Sequence, residues 1–152
     1  MSETAKLIIY LDMDGVCVDF FGGIKPLIGI PDDWLPDRYD VPKIYEILDS
    51  LGHDFWVNLK PYPYFVELYK MLIRYGHVIF CTSPSNNPGS SSGKHQWLQD
   101  VFDRKNFREF VICPTDKHIL ARGNAVLIDD REDAIDAWEA TGAPAFLFPQ
   151  FW

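Results

Sequence analysis

Short, unbroken apolar runs recur along this chain and are separated by stretches of helical periodicity. The runs are four or five residues long and rich in Val, Ile and Phe, which is typical of strands buried on both faces in a parallel sheet. We predict strands at 7–11, 77–81, 110–113, 125–128 and 145–148.

Apolar residues at intervals of three and four predict helices between these strands. The clearest stripe lies in a helix predicted over 61–75 and consists of Phe65, Leu68, Tyr69, Leu72 and Ile73. Further helices are predicted over 41–51, 94–102 and 131–141, with a short helical turn over 117–120. The alternation predicts the α/β class, as a Rossmann-like three-layer α/β/α sandwich with a mostly parallel sheet.

The segment 17–59 interrupts the alternation and is predicted to be an insertion after the first strand. It begins near Phe20-Phe21-Gly22-Gly23 and ends near Phe55-Trp56-Val57. It is too short for a second full domain but long enough for a small helical cap. We therefore expect a single domain spanning 1–152 that carries this cap. A second stretch, 86–93, is rich in Ser, Gly and Asn and predicts a mobile loop.

The composition is that of an ordinary globular protein, with 47% hydrophobic and 24% charged residues. A length of 152 residues supports one domain with a sizeable core. The 22 acidic residues exceed the 14 basic ones and give a net charge of −8. Nucleic acids and anionic membranes are bound by basic surfaces, so the charge argues against both as partners. A small phosphorylated substrate stays compatible, since one pocket can be positive on an acidic protein.

The three cysteines, Cys17, Cys81 and Cys113, predict reduced core thiols rather than a disulfide framework. Their number is odd, each lies in or beside an apolar run, and their spacing matches no zinc motif. The first residues show no signal region, and no apolar stretch approaches the roughly 20 residues that span a bilayer. We therefore expect a cytoplasmic protein without a membrane segment.

Polar side chains follow three of the predicted strands at the point where each strand ends. They are Asp12 and Asp14, Thr82 and Ser83, and Asp129 and Asp130. Gly15 follows the first pair and permits a sharp turn. The carboxyl ends of parallel strands meet at one edge, where open α/β sheets bind ligands, so these residues are expected to converge. Lys117, which follows the third strand, can reach the same edge.

The side chains at this edge suit phosphoryl transfer. A carboxylate nucleophile needs a cation to screen it from an anionic substrate, and Mg²⁺ is held by carboxylates together with phosphate oxygens and waters. A hydroxyl and an ammonium group would bind the phosphoryl oxygens. The second acid of the first pair can protonate the leaving oxygen and later deprotonate a water. The residues therefore predict a Mg²⁺-dependent site for a phosphate ester.

Three motifs carry a resemblance to a known family. They are Asp12-Met13-Asp14-Gly15, Cys81-Thr82-Ser83-Pro84 and Leu127-Ile128-Asp129-Asp130-Arg131. They resemble the motifs of haloacid dehalogenase superfamily phosphatases and, more narrowly, of the 5′(3′)-deoxyribonucleotidases. That family's first motif, DMDGVxxDF, is matched by 12–20, and its lid and helix motifs resemble 55–57 and 94–98. The resemblance covers most of the chain from Lys6 to Asp133.

The resemblance implies catalytic and phosphate-binding roles for five residues. Asp12 is expected to be the nucleophile that forms an aspartyl-phosphate. Asp14 is expected to be the general acid and base, and to give its backbone carbonyl to Mg²⁺. Thr82 and Ser83 are expected to bind the phosphate. Lys117 is expected to neutralise the phosphate and the nucleophile, and Lys94 is the alternative candidate for that role.

The remaining site residues are assigned to the metal and to the nucleoside. Asp12, Asp14, Asp129 and Asp130 form the expected metal site, with Asp130 favoured as the direct ligand and Asp129 as its support. The residues expected to line the nucleoside pocket are Phe20, Phe55, Trp56 and Val57.

The leading hypothesis is a Mg²⁺-dependent phosphomonoesterase that hydrolyses nucleoside monophosphates, with a deoxynucleotide as the expected substrate. One alternative keeps the chemistry on another small phosphate ester or on a polynucleotide end. Another is a non-catalytic nucleotide-binding module with the same fold. The base and sugar preference and the oligomeric state, including a homodimer, stay open.

Overall fold

The computed structural model describes residues 6–29 and 41–150, with the backbone alone for 41–43. Its strands are β1 (Ile8–Leu11), β2 (His77–Thr82), β3 (Phe110–Ile112), β4 (Ala125–Asp129) and β5 (Ala145–Leu147). Its α-helices are α1 (Phe20–Ile28), α2 (Val41–Ser50), α3 (His53–Val57), α4 (Phe65–Leu72), α5 (Pro88–Val101) and α6 (Glu132–Glu139). A 3₁₀ helix (Lys117–Leu120) lies between β3 and β4.

The five strands form one parallel sheet in the order β3-β2-β1-β4-β5. The first strand is the central one, and Leu11 near its end pairs with Phe80 of β2 on one side and with Ile128 of β4 on the other. The predicted α/β class with a parallel sheet is confirmed. This strand order sets the ends of β1, β2 and β4 side by side, which is where the predicted site residues begin.

Helix α6 packs against the sheet and forms part of the hydrophobic core. The Trp138 side chain of this helix is fully buried and meets Tyr10 of β1 edge to face, with ring centroids 5.7 Å apart. Leu127 and Ile135 pack in the same cluster. Burial of these aromatic and aliphatic side chains stabilises the sheet.

Three helices differ from the sequence prediction, and one of them, the five-residue α3, was not predicted. The stretch 86–93 was expected to be a mobile loop, but α5 already begins at Pro88, so this expectation is wrong. The Asn87 side chain accepts a hydrogen bond from the Gly89 amide at 2.8 Å and caps the helix, and proline is well tolerated in the first turn. Helix α1 was not predicted, because two glycines and Pro26 within it obscure its pattern.

The chain divides into two compact units. Of the described residues, the sheet unit holds 6–18, 61–83 and 109–150, and the helical unit holds 19–29, 41–60 and 84–108. The predicted cap, 17–59, contributes most of its described residues to the helical unit, which also contains α5. Residues 30–40 of that cap lie outside the described residues. None of the helices that the structure describes has the length and apolar character needed to cross a bilayer.

Candidate active site

The first element of the site is the turn that follows β1. The Asp12 amide donates to the Ile128 carbonyl at 2.9 Å, so the ladder between β1 and β4 extends to this residue. The Met13 carbonyl then accepts from the Cys17 and Val18 amides at 2.8 and 2.9 Å. These bonds turn the chain sharply and hold Asp12, a residue that is only 7% exposed, at the end of the central strand.

Gly15 lets this turn approach the acidic residues after β4. Its φ of +82° lies in the left-handed region, which residues with a Cβ rarely adopt. A Cβ at this position would also collide with the Asp130 carboxyl group. The glycine of the predicted motif therefore allows both the backbone turn and the close packing of Asp130 against it.

Lys117 joins the acids of β1 and β4. The 3₁₀ helix places its ammonium group 2.7 Å from Asp12 Oδ1 and 2.7 Å from Asp129 Oδ2, and all three side chains are buried. Burial by itself lowers the pKa of Lys117, but attraction to the two carboxylates outweighs burial and raises this pKa well above its usual range. Lys117 is therefore a permanent positive charge within the site.

The turn after β4 is fixed by several backbone contacts. Asp129, which is fully buried, accepts from Lys117 with one carboxyl oxygen and from the Arg131 amide with the other, at 3.0 Å. Its carbonyl accepts from the Phe148 amide at 2.7 Å, and the Asp130 carbonyl accepts from the Gln150 side chain at 3.1 Å. The residues after β5 thus hold both acidic residues in place.

Three carboxyl groups form a cluster that suits a divalent cation. One oxygen each from Asp12, Asp129 and Asp130 lies within 4.8 Å of the others, and all three residues are buried. Burial raises the pKa of Asp12 and the neighbouring carboxylates raise it further, although Lys117 opposes them. Three buried carboxyl groups this close together offer hard oxygen ligands, and ligands of this kind fit Mg²⁺.

The hydroxyl pair lies at the end of β2, next to the central strand. Thr82 is buried, and its carbonyl accepts from the Cys113 amide at 3.0 Å. The Ser83 hydroxyl donates to the Pro114 carbonyl at 3.2 Å. Asp14 lies in the turn after β1, partly exposed, in an isolated bridge with Val18. The sheet unit therefore contains all the residues predicted for phosphate and metal binding.

The residues predicted for the nucleoside pocket form an aromatic cluster in the helical unit. Phe20 stacks on Trp56 with ring centroids 5.7 Å apart, and Phe55 meets Trp56 edge to face at 5.1 Å. The Lys94 ammonium group lies 4.8 Å from the centroid of the same indole ring. Trp56 is only 3% exposed, whereas Phe20, Phe55 and Val57 keep partly exposed surface. Trp56 therefore packs inside the cluster and has almost no exposed ring surface on which a base could stack.

The sequence did not indicate the residues after β5. Gln150 and Phe148 hold the turn after β4, although neither belongs to a motif or to a predicted site. An exposed glutamine and a backbone amide carry no pattern that distinguishes them from ordinary surface residues. Only the pairing of β5 beside β4 brings them to the acidic turn.

Relatives with curated names were found by sequence comparison, whereas no family model matches the chain. A protein of Staphylococcus aureus assigned to the 5′(3′)-deoxyribonucleotidases is 30% identical over 149 residues, which cover 90% of this chain and 79% of that protein. The mouse mitochondrial 5′(3′)-deoxyribonucleotidase is 29% identical, with 90% of this chain and 70% of that protein covered. A Vibrio phage KVP40 protein of the same assigned activity is 28% identical, with 85% and 69% covered.

Solved structures share the fold at lower identity. A haloacid dehalogenase-like hydrolase of Burkholderia xenovorans superposes with a TM-score of 0.64 at 13% identity, covering 95% of this chain and 83% of that one. A haloacid dehalogenase family enzyme of Bacteroides thetaiotaomicron, solved with magnesium and inorganic phosphate, gives a TM-score of 0.53 at 10% identity, covering 97% and 96%. These likenesses show that the chain shares the fold of the two enzymes.

Proposed function

Since the chain belongs to the 5′(3′)-deoxyribonucleotidase family of haloacid dehalogenase phosphatases, we propose that it hydrolyses nucleoside monophosphates with the help of Mg²⁺. The observation that carries this proposal is the buried group of Asp12, Asp129, Asp130 and Lys117. It combines a carboxylate nucleophile, a site for a divalent cation and a fixed ammonium group at one sheet edge.

Asp12 is the proposed nucleophile. Its carboxylate oxygen attacks the phosphorus of the monoester, an Asp12–phosphate bond forms, and the bond from phosphorus to the ester oxygen breaks. Asp14 donates its proton to the leaving alkoxide, which departs as the nucleoside. The ionised Asp14 then takes a proton from water, whose oxygen attacks the same phosphorus and releases inorganic phosphate and the free Asp12 carboxylate.

Lys117 and the hydroxyl pair are proposed to stabilise charge on the phosphoryl oxygens. Lys117 already contacts Asp12 at 2.7 Å, so it orients the nucleophile and offsets part of its charge. Donors held in place before reaction need no reorganisation when charge develops, which is why such contacts accelerate the step. Lys94 lies over Trp56 in the helical unit, and we assign it to the aromatic cluster rather than to the nucleophile.

Asp130 is the proposed direct ligand of Mg²⁺, together with Asp12 and the backbone carbonyl of Asp14. Both carboxyl oxygens of Asp129 already accept hydrogen bonds. We therefore assign this residue to holding the site in place rather than to direct contact with the cation. When bound, the cation would screen the carboxylates from the phosphate and withdraw charge from the phosphoryl oxygens. The donor set of buried carboxylates fits this ion in type.

The nucleoside is assigned to the aromatic cluster of the helical unit. Phe20, Phe55 and Val57 retain partly exposed surface. Any nucleobase can stack on an aromatic side chain, because every base has a π-face. Each stacked base gains about 1–3 kcal/mol in proteins that bind single strands. That binding energy can be used to position the phosphate and so raise the rate on nucleotides over simpler esters.

Phosphate release from matched substrates tests this function. Deoxynucleoside and ribonucleoside monophosphates should be hydrolysed with far higher kcat/KM than a sugar phosphate, with Mg²⁺ and not with EDTA. Phe20→Leu and Phe55→Leu should lower kcat/KM for nucleotides by about tenfold, the equivalent of 1.4 kcal/mol of stacking, and spare p-nitrophenyl phosphate.

Phe146→Leu is the matched control, because Phe146 is 64% exposed on β5 in the sheet unit. It should leave the substrate ranking unchanged. Folded variants of Phe20 and Phe55 that keep the ranking of the unaltered protein would remove the nucleoside assignment and leave a phosphatase of another small ester.

A further inference from the structure

Two buried thiols lie next to each other at the ends of β2 and β3. The Sγ atoms of Cys81 and Cys113 are 3.6 Å apart and form a sulfur–sulfur hydrogen bond. Strand register explains the pairing, since Cys81 is opposite Val111 and Cys113 follows two positions later on the same face. No step of the proposed hydrolysis uses either thiol.

The surroundings distinguish this pair from the third cysteine. Cys81 and Cys113 belong to one core cluster with Tyr10 and Leu127, and both are free thiols. Cys17 is also buried, but its thiol donates to the Asp12 carbonyl at 3.4 Å and has no sulfur neighbour among the described contacts. Only one pair of thiols in the described part of the chain is therefore placed to react within the molecule.

The local electrostatics favour a thiolate on one member of the pair. The hydrogen bond from Cys81 lowers the pKa of Cys113 to about 7, and attraction to Lys117 acts in the same direction against the effect of burial. The same hydrogen bond raises the pKa of Cys81. These effects favour Cys113 as the member of the pair that ionises first, and Cys113 keeps 5% of its surface exposed.

We propose that Cys81 and Cys113 form an oxidation site that a hydroperoxide converts to an intramolecular disulfide. The Cys113 thiolate attacks the outer peroxide oxygen, the O–O bond breaks, and the departing oxygen takes a proton to leave as water or an alcohol. The Cys81 thiol then loses its proton and attacks the sulfenic sulfur, and hydroxide departs and is protonated to water. The two thiols lose two electrons, and the peroxide gains them.

Disulfide formation in this place would disturb the phosphate-binding strand end. The sulfurs must approach from 3.6 Å to about 2.05 Å. Thr82 follows Cys81 directly, and its carbonyl accepts from the Cys113 amide, so the movement falls on Thr82. Displacement of a reacting group by about 1 Å costs on the order of 100-fold in rate. Oxidation should therefore inhibit the phosphatase, and a thiol reductant should restore it.

Hydrogen peroxide titration of the full chain tests the site. The reduced protein carries three thiols that an alkylating reagent modifies after denaturation, and the oxidised protein should carry one. Non-reducing digestion and mass spectrometry should find Cys81 joined to Cys113. Loss of kcat should follow the disulfide in time and reverse with dithiothreitol.

Variants separate this site from general damage. Cys17→Ala should respond like the unaltered protein, whereas Cys113→Ala and Cys113→Ser should retain their basal rate in peroxide and show no cross-linked peptide. A cross-link through Cys17, a cross-link between chains, or sulfinic acid without a disulfide would overturn the proposal. A complete Cys81–Cys113 disulfide with unchanged kcat would overturn its connection to Thr82.

Discussion

Among single residues, Lys117 connects two parts of the site. Its ammonium group contacts Asp12, which follows β1, and Asp129, which is the last residue of β4. Removal of one partner from a buried ion pair leaves an uncompensated charge in a poorly solvated place. Lys117 therefore has a structural role toward Asp12 and Asp129, in addition to the role toward the substrate that we propose for it.

Lys117→Met should impair both activity and stability. We expect kcat/KM to fall by at least about 100-fold, since a donor aimed at developing charge contributes about 3 kcal/mol. The free energy of unfolding should fall by about 3–5 kcal/mol without Mg²⁺, because two buried carboxylates lose their partner. Steady-state kinetics and urea unfolding measure the two effects.

Lys94→Met serves as the comparison, because Lys94 is also buried but lies over Trp56 in the helical unit. It should change kcat on p-nitrophenyl phosphate much less than Lys117→Met does. A larger loss of kcat from the Lys94 substitution would reverse the assignment of the phosphate-site lysine and leave the fold unaffected.

Asp12→Asn should abolish turnover and stabilise the metal-free protein. The amide keeps the shape of the carboxyl group but cannot attack phosphorus, so kcat should fall by at least about a thousandfold. Burial and neighbouring carboxylates raise the pKa of Asp12, which means that the folded state disfavours its charge at neutral pH. The variant should therefore melt at a higher temperature than the unaltered protein in EDTA, as measured by circular dichroism.

The exposed Asp136 of α6 provides the control, since Asp136→Asn removes the same charge away from the cluster. This change should leave both kcat and the melting temperature nearly unaltered. Appreciable turnover by purified Asp12→Asn would contradict the aspartyl-phosphate mechanism.

Site residues were predictable where strand ends carry paired polar side chains. Asp12, Thr82 and Asp129 each follow a short apolar run, and parallel pairing brings such ends together. Lys117 follows a short strand and a turn, so its reach to Asp12 required the structure. Gln150 was not predictable, because its contact with the Asp130 carbonyl depends on where the chain after β5 happens to pass.

At the scale of elements, α3 and α5 pack closely through glycines on α5. A Cβ at Gly93 would lie 2.7 Å from the His53 carbonyl oxygen and 2.5 Å from Trp56 Cβ. A Cβ at Gly89, one turn earlier, would lie 2.8 Å from the Gly52 carbonyl carbon. The absence of side chains at these positions lets the two helix backbones approach and places the indole of Trp56 under Lys94.

Gly93→Ala should destabilise the protein although alanine is the better helix former. Helix propensity alone would favour alanine by about 1 kcal/mol. Overpacking against the α3 backbone should cost about 1–3 kcal/mol and outweigh that gain. Thermal unfolding should show a lower melting temperature, with Gly123→Ala as the control because nothing lies within 4 Å of its Cβ position. An increase in melting temperature for Gly93→Ala would contradict this packing.

Elements were predictable where periodicity was clear and less so where glycine or proline broke the pattern. Helix α2 and all five strands lie within one residue of their predicted boundaries. The Ser- and Gly-rich start of α5 was taken as a loop because these residues disfavour helices by propensity. Contact with α3 compensates for that weakness, and such a contact is absent from any local pattern.

For the whole molecule, the excess of acidic residues makes a bound cation a source of stability. The net charge is −8, and three buried carboxyl groups lie together in the sheet unit. A ligand that binds only the folded state stabilises it in proportion to the logarithm of its concentration over Kd. Mg²⁺ should therefore act on the unfolding equilibrium as well as on catalysis.

Replacement of EDTA by Mg²⁺ should raise the melting temperature. At about 100 times Kd the gain is about 2.7 kcal/mol, and each kcal/mol corresponds to about 2–4 °C for a chain of this size. Sodium chloride at equal ionic strength is the control for general screening, and Asp130→Asn should lose most of the Mg²⁺ effect. An equal shift from sodium chloride would contradict a specific cation site.

The central position of β1 also has a consequence for how the chain acquires its structure. Leu11 pairs with Ile128, more than a hundred residues later, so the middle of the sheet closes only through a contact of long sequence separation. Such contacts slow folding, because a long loop must be ordered before they form. A nascent chain that has emerged only as far as residue 128 has Asp12 and Lys117 but lacks Asp129, the second partner of Lys117, and the Asp130 carboxyl group. The acidic cluster should therefore be completed in one step, when residues 125–130 emerge and pair with the central strand.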